Sequence, residues 1–123
     1  MGLQGLYRRA RGPTPLKPRA RLKVHKTMSR RDFSQRLRAT PTSPGVYRMR
    51  DASENILYVG KASSLRHRLS SYFAKRANLE PKIRRMVARV VDFDFIITES
   101  ESEALILECN LIKQHRPPYN ARL

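Results

Sequence analysis

Acidic residues are scarce in this chain: ten Asp and Glu stand against twenty-six Lys and Arg over 123 residues, a formal charge of +16. That excess goes far beyond what solubility needs and points to a polyanionic partner. Cysteine is almost missing, and Cys109 alone excludes both an internal disulfide and a cysteine-based zinc site. No stretch approaches the ~20 consecutive apolar residues of a membrane span. The basic N-terminus is followed by no apolar segment, which argues against a secretory signal and deprives Arg8-Arg9 of the setting of a twin-arginine signal. A soluble, cytoplasmic protein is expected. The basic stretches also lack the bulky apolar face of an interfacial helix, so nucleic acid is favoured over a membrane surface.

The charge is unevenly spread. Residues 1–28 hold eight basic residues and no acid, mixed with Pro13, Pro15 and Pro18. Such a segment cannot bury enough apolar area to offset its ordering entropy, so it reads as a disordered basic arm. It is expected to add salt-sensitive, sequence-independent affinity for nucleic acid. Met28 is an alternative start. Apolar residues make up 40% of the chain and lie mostly after residue 40, so residues 29–123 are expected to form one folded domain.

Within that domain Ser29 and Asp32 predict a capped helix through about Arg38, with Phe33 and Leu37 inward. Residues 46–49 and 56–59 are β-prone runs separated by turn-formers and predict a hairpin, the second strand ending at Gly60. A helix from about Ala62 to Tyr72 follows, then one opened by Pro81 and running to about Val90, then a strand over 93–97. Thr98 or Ser100 caps a last helix through about His115, and Pro117-Pro118 stops it. The predicted fold is α/β of the α+β type: a small three-stranded antiparallel sheet flanked by helices.

Two groups of residues could carry chemistry. In the last helix Ala104, Leu105, Leu107, Leu111 and Ile112 form an apolar arc at 100° per residue, with Glu108 in its middle. A carboxylate there is costly unless paired or bound to metal. Two readings stand side by side: a Glu salt-bridged in a very basic protein, or a functional carboxylate. Lys61, Arg68 and Tyr72 are placed on one flank of the second helix, near Tyr47 and Tyr58 of the hairpin. Hydroxyls and cations on rigid elements suit a scissile phosphate, though without Glu108 nearby a basic surface face over two packed tyrosines is the favoured reading. His67 and His115 share no metal-ligand spacing and are expected to face solvent or phosphate. Ser63-Ser64 and Ser70-Ser71 have no His/Asp partners, and Cys109 reads as packed or inert.

The order of motifs is more specific. Gly45-Val46-Tyr47 and Tyr58-Val59-Gly60-Lys61-Ala62 are followed by Leu65-Arg66-His67-Arg68-Leu69-Ser70-Ser71-Tyr72-Phe73. Then come Thr98 to Glu108, Asn110-Leu111-Ile112-Lys113 and Pro117-Pro118-Tyr119-Asn120. Over residues 31–123 this resembles the GIY-YIG nucleases, in particular the N-terminal nuclease domains of the UvrC family. The resemblance implies a metal-dependent DNA endonuclease of nucleotide excision repair that cuts on the 3′ side of a lesion. Glu108 resembles the sole protein ligand to a divalent metal, Mg2+ or Mn2+, and Tyr47 the general base. Tyr58 and Arg68 resemble residues that hold and neutralise the scissile phosphate, with Lys61 adding positive field. Tyr72 and Asn120 resemble further active-site residues. Lys61, Arg66, His67, Arg68, Lys75 and Lys113 are the candidates for DNA contact.

The partners implied are damaged duplex DNA and the repair subunits UvrA and UvrB, and the domain is expected to be a monomer. UvrC proteins continue into further domains absent from this chain, which suggests a fragment or a stand-alone relative. A non-catalytic basic DNA-binding module and a stand-alone structure-specific nuclease are the rival readings.

Overall fold

The computed structural model describes residues 30–74 and 78–120. The basic arm over 1–28, the Ser29 cap and Lys75 lie outside these residues. The elements run α1 (Arg30–Ala39), β1 (Gly45–Arg50), β2 (Ile56–Ala62), α2 (Leu65–Ala74), α3 (Pro81–Arg89), β3 (Asp92–Ile97) and α4 (Glu101–His115). The strands form one antiparallel sheet in the order β2-β1-β3, so β1 is central and β2 has one free edge.

Alternation along β1 decides which layer each side chain enters. Tyr47 and Met49 enter a core with Leu65, Leu69 and Tyr72 of α2, Met86 and Val87 of α3, and Phe93 of β3. Phe33 and Leu37 of α1 pack against the same core, as their spacing predicted. Val46, Val59 and Ile96 belong to the opposite layer, with Ala104, Leu107 and Leu111 of α4. The sheet therefore lies between α4 on one face and α1–α3 on the other. A register shift at Met49/Arg50 bulges the hairpin, and the successive residues Leu57 and Tyr58 both join the α1–α3 core.

Two boundaries differ from the sequence reading, and of the two caps it offered for the last helix one is selected. β2 does not end at Gly60 but stays paired through Lys61 and Ala62, opposite Val46 and Gly45. Glycine there answers a packing need: a Cβ on Gly60 would collide with the Tyr47 hydroxyl. Gly45 is constrained likewise, by the Ile96 carbonyl and, at 2.7 Å, by Leu65 Cδ1. As a consequence α2 begins at Leu65, and Lys61 belongs to a strand rather than to the helix flank. Ser100, not Thr98, caps α4, accepting from the Glu103 N–H, while the Glu103 carboxylate accepts from Glu99 N–H. Thr98 is buried and donates to the Ser100 carbonyl. Among the described residues no helix is long and apolar enough to cross a membrane.

Candidate active site

The site grows from the end of β2 that meets α2. Tyr47 crosses Gly60 beneath the sheet, and its hydroxyl lies 2.7 Å from that of Tyr72 on α2. Tyr58, two residues before Gly60, projects to the same side, with its ring centroid 6.2 Å from Tyr47 and 6.5 Å from Tyr72. Three phenols thus converge from three elements. Tyr47 is 1% exposed and Tyr72 8%, whereas Tyr58 is only half-buried.

Burial is the first cause of a Tyr47 pKa well above the ordinary phenol value. Tyr72 and Tyr58 add to it, and Arg68 pulls the other way. Tyr58 is pushed up to about 12, again by burial first, then by Tyr72 and the negative charge of Glu108, with Arg68 opposing. Arg68 is exposed on α2 and is the cation that the phenols sense.

Glu108 reaches the same edge from the opposite face. Lys61 alternates toward α4, and its backbone N–H and its charge both act on the Glu108 carboxylate. Burial nonetheless dominates and raises the Glu108 pKa above the usual value. Among the described residues Glu108 makes no salt bridge. It is not in the middle of a buried arc, as the periodicity suggested. Leu105 is 47% exposed, the buried stripe is Ala104, Leu107 and Leu111, and Glu108 is half-buried at its margin. The margin faces the free edge of β2, where a carboxylate keeps access to solvent and ligands.

Asn120 closes that edge. Its side-chain amide donates to the Val59 carbonyl at 2.9 Å and accepts from the Val59 N–H at 2.8 Å, as a neighbouring strand would. Tyr119 N–H continues the pattern to the Leu57 carbonyl at 3.0 Å. Asn120 is thus committed to backbone, which makes it a positioning residue for the loop after α4.

The candidate DNA contacts are scattered by comparison. His67 and Lys113 are exposed, as expected. Arg66 is exposed too, but its Nε donates to the Thr40 carbonyl at 2.7 Å and ties α2 to the loop before β1. His115 is half-buried, and among the described residues its Nε2 is buried without a partner. Desolvation first, then Arg48 and Arg50, lower its pKa, against an upward pull from Asp94.

Sequence reasoning also missed the charged group beside His115. Arg48 forks onto Asp94 through two bonds of 2.9 Å, and Arg50 adds a third of 2.7 Å. Burial pushes Asp94 up, but the two guanidinium groups together outweigh it and hold the carboxyl below its usual range. The signal was present in the alternation of Arg48 and Arg50 with apolar residues on a central strand.

Among the described residues no group of three or more His, Cys, Asp or Glu could hold a metal ion. A cation here would have one protein carboxylate, Glu108, with its remaining positions left for water and phosphate. That arrangement suits Mg2+, which keeps several waters and seldom uses an all-protein cage.

A model of the UvrC-like GIY-YIG domain matches residues 43–121. The UvrABC system protein C of a Synechococcus species is 56% identical over 95 residues, covering 77% of this chain and 15% of that protein. Its counterpart from Moorella thermoacetica is 55% identical over 92 residues, 75% of this chain and 15% of that protein. The chain thus spans about 15% of the length of the curated relatives it matches. Among solved structures, the GIY-YIG N-terminal endonuclease domain of UvrC from Thermotoga maritima, bound to its catalytic divalent cation magnesium, superposes with a TM-score of 0.66 at 34% identity. The match covers 76% of this chain and all of that one. A point mutant of the same domain, also bound to its catalytic divalent cation, gives a TM-score of 0.67.

Proposed function

This chain belongs to the UvrC-like GIY-YIG domain family, and from that premise we propose that it is a metal-dependent endonuclease that hydrolyses a DNA phosphodiester on the 3′ side of a lesion within the UvrABC system. The observation that carries the proposal is the convergence of three phenols, two cations and an unbridged carboxylate on one end of β2. A module that only bound DNA would have no use for Glu108 at that edge, since a carboxylate repels phosphate.

Each residue has a task set by its placement. Glu108 holds the divalent ion, Mg2+ or Mn2+, in one-carboxylate fashion. When bound, the ion supplies Lewis-acid polarisation of the phosphate and neutralises charge on the leaving oxygen. Arg68 and Lys61 bring positive charge to the scissile phosphate, and the half-buried Tyr58 offers it a hydroxyl. Tyr47 takes the proton from the attacking water. Its raised pKa leaves it a phenol at neutral pH in the absence of added positive charge, so proton acceptance depends on the cations gathered around it. Tyr72, hydrogen-bonded to Tyr47, holds that phenol in place. Water adds to phosphorus, the bond to the 3′ oxygen breaks, and that oxygen takes up a proton. The products are a 5′-phosphate and a 3′-hydroxyl. Asn120 keeps β2 and the loop after α4 in register around the site.

On the same ground we propose damaged duplex DNA, UvrA and UvrB as the partners and the cytoplasm as the setting. The test is nicking of a lesion-containing duplex with UvrA and UvrB supplied, in magnesium or manganese, comparing wild type with Glu108→Ala. Because the chain spans only a part of its relatives, a fusion to a UvrB-binding segment belongs in the experiment. A 3′-side cut lost in the variant establishes nuclease and metal ligand together. A fusion that folds and binds DNA but never cuts makes the chain a binding module instead.

A further inference from the structure

The free edge of β2 has a second end. From Lys61 beside Glu108 it runs past Val59, capped by Asn120, to Leu57, whose carbonyl accepts from Tyr119 N–H. At the Leu57 end lies a cavity of about 450 Å³, lined by Asn55, Leu57, Arg89 and His115 among others. Arg89, the last residue of α3, has a half-exposed side chain over the Tyr119 ring, 5.9 Å from its centroid. Its polar contacts are long: a salt bridge of 3.3 Å to Asp51, whose charge a phosphate would compete with, and 3.5 Å to the Tyr119 hydroxyl. The guanidinium is thus aimed by its neighbours while most of its five donors stay available. His115 also lines the cavity, while its Nε2 stays buried away from it. The rest of α3 adds exposed Lys82, Arg84 and Arg85, and the helix carries no acid.

We propose that this end of the edge is a second phosphate-binding subsite, where Arg89 grips the backbone of the substrate strand at a nucleotide flanking the cut. The inference rests on the nuclease reading above. Four strand residues separate the two ends, roughly 13 Å. That places the gripped phosphate roughly two nucleotides from the scissile one. A strand laid along the edge would pass from the Lys61–Arg68 cations over the Asn120–Tyr119 loop to Arg89. Glu54 also borders the cavity, and its charge opposes an anion there.

The test is anisotropy titration of the full chain with a lesion-free duplex in EDTA, over a range of salt. Arg89→Gln should lower the slope of log K against log salt by about one, Arg89→Lys should preserve it, and Glu54→Gln should tighten binding. On the lesion-containing duplex with UvrA, UvrB and magnesium, where the cut fixes the register, neutral methylphosphonates placed one at a time along the cut strand should slow nicking by the wild-type fusion at a single flanking position, and Arg89→Gln should be indifferent there. An unchanged slope in a folded Arg89→Gln, or a wild type indifferent to every flanking methylphosphonate, overturns the subsite. The second measurement needs no variant, so a misfolded Arg89→Gln does not shelter the proposal. A wild-type fusion that binds but never cuts in the magnesium assay sinks the nuclease reading, and the salt slope in EDTA still decides Arg89. A wild type that does not bind at low salt overturns the subsite, and the nicking assay alone then decides the nuclease reading.

Discussion

Two carboxylates enter the layer between the sheet and α4, and the protein treats them in opposite ways. Asp94, on β3, receives three bonds from Arg48 and Arg50 and is held below the usual carboxyl range. Glu108, on α4, is half-buried, makes no salt bridge among the described residues, and has its pKa raised by burial. Cations are not in short supply in a chain of net charge +16. A paired acid completes an internal network and lends stability. An acid left short of cations at an open edge keeps its lone pairs for something that is not part of the chain, and it costs stability while it waits.

That contrast can be broken most directly by removing each acid in turn. With the nuclease assembled as above, Glu108→Ala should reduce nicking by at least about 10³-fold, while Asp94→Ala should retain activity per folded molecule. Comparable losses in both would erase the distinction. Next in size is the proton acceptor. Tyr47→Phe should lower the rate by about 10²–10⁴-fold. Because the Tyr47 pKa is raised, its phenolate is the minor form near neutrality, so the wild-type rate should climb with pH about tenfold per unit. A pH profile of the same slope in Tyr47→Phe would assign the proton to another group.

Stability sharpens the other half. Asp94→Ala should cost about 1–2 kcal/mol in urea titrations at neutral pH, after allowance for solvent screening of a pair that is only partly enclosed. The folded pKa of Asp94 is depressed, so its contribution is present above the ordinary value near ~3.9 and is lost as pH falls through the folded value. Wild type and variant should therefore converge in acid; a gap that persists there means lost packing, not lost pairing. Asn120→Ala, which frees both backbone groups of Val59, should cost about 1 kcal/mol or slightly more.

The smallest effect has the opposite sign. Glu108 has a raised folded pKa, so its ionised form at neutral pH opposes folding, and Glu108→Gln should raise Tm by about 1–2 °C in EDTA. Magnesium should then raise the Tm of wild type alone. A Glu108→Gln protein less stable than wild type would make Glu108 a structural residue.

Much of this was legible beforehand, and unevenly so. Elements with a clean period, such as the Leu65–Leu69–Tyr72 stripe and the Phe93–Phe95–Ile97 alternation, appeared where expected. Glycine misled: Gly60 looked like a strand terminator because local propensity cannot reveal that a tyrosine from the next strand lies across it. Leu105 misled as well, since a helical wheel gives angles but not how far a neighbouring sheet extends over them. The alternation of Arg48 and Arg50 hinted at a charged group, but its acid could not be named, because Asp94 lies more than forty residues away and meets them only through the β1–β3 register.

Charge, element order and the paired Gly-Val-Tyr and Tyr-Val-Gly motifs were written in the sequence, because composition and short-range spacing survive without a fold. What the tertiary structure alone decided was the company each group keeps. It fixed the 2.7 Å contact between Tyr47 and Tyr72, the docking of Asn120 on Val59, and the pairing that Asp94 received and Glu108 did not. Desolvation and Coulomb energy depend on distance in space, and distance in space between remote residues exists only once the sheet has set its register.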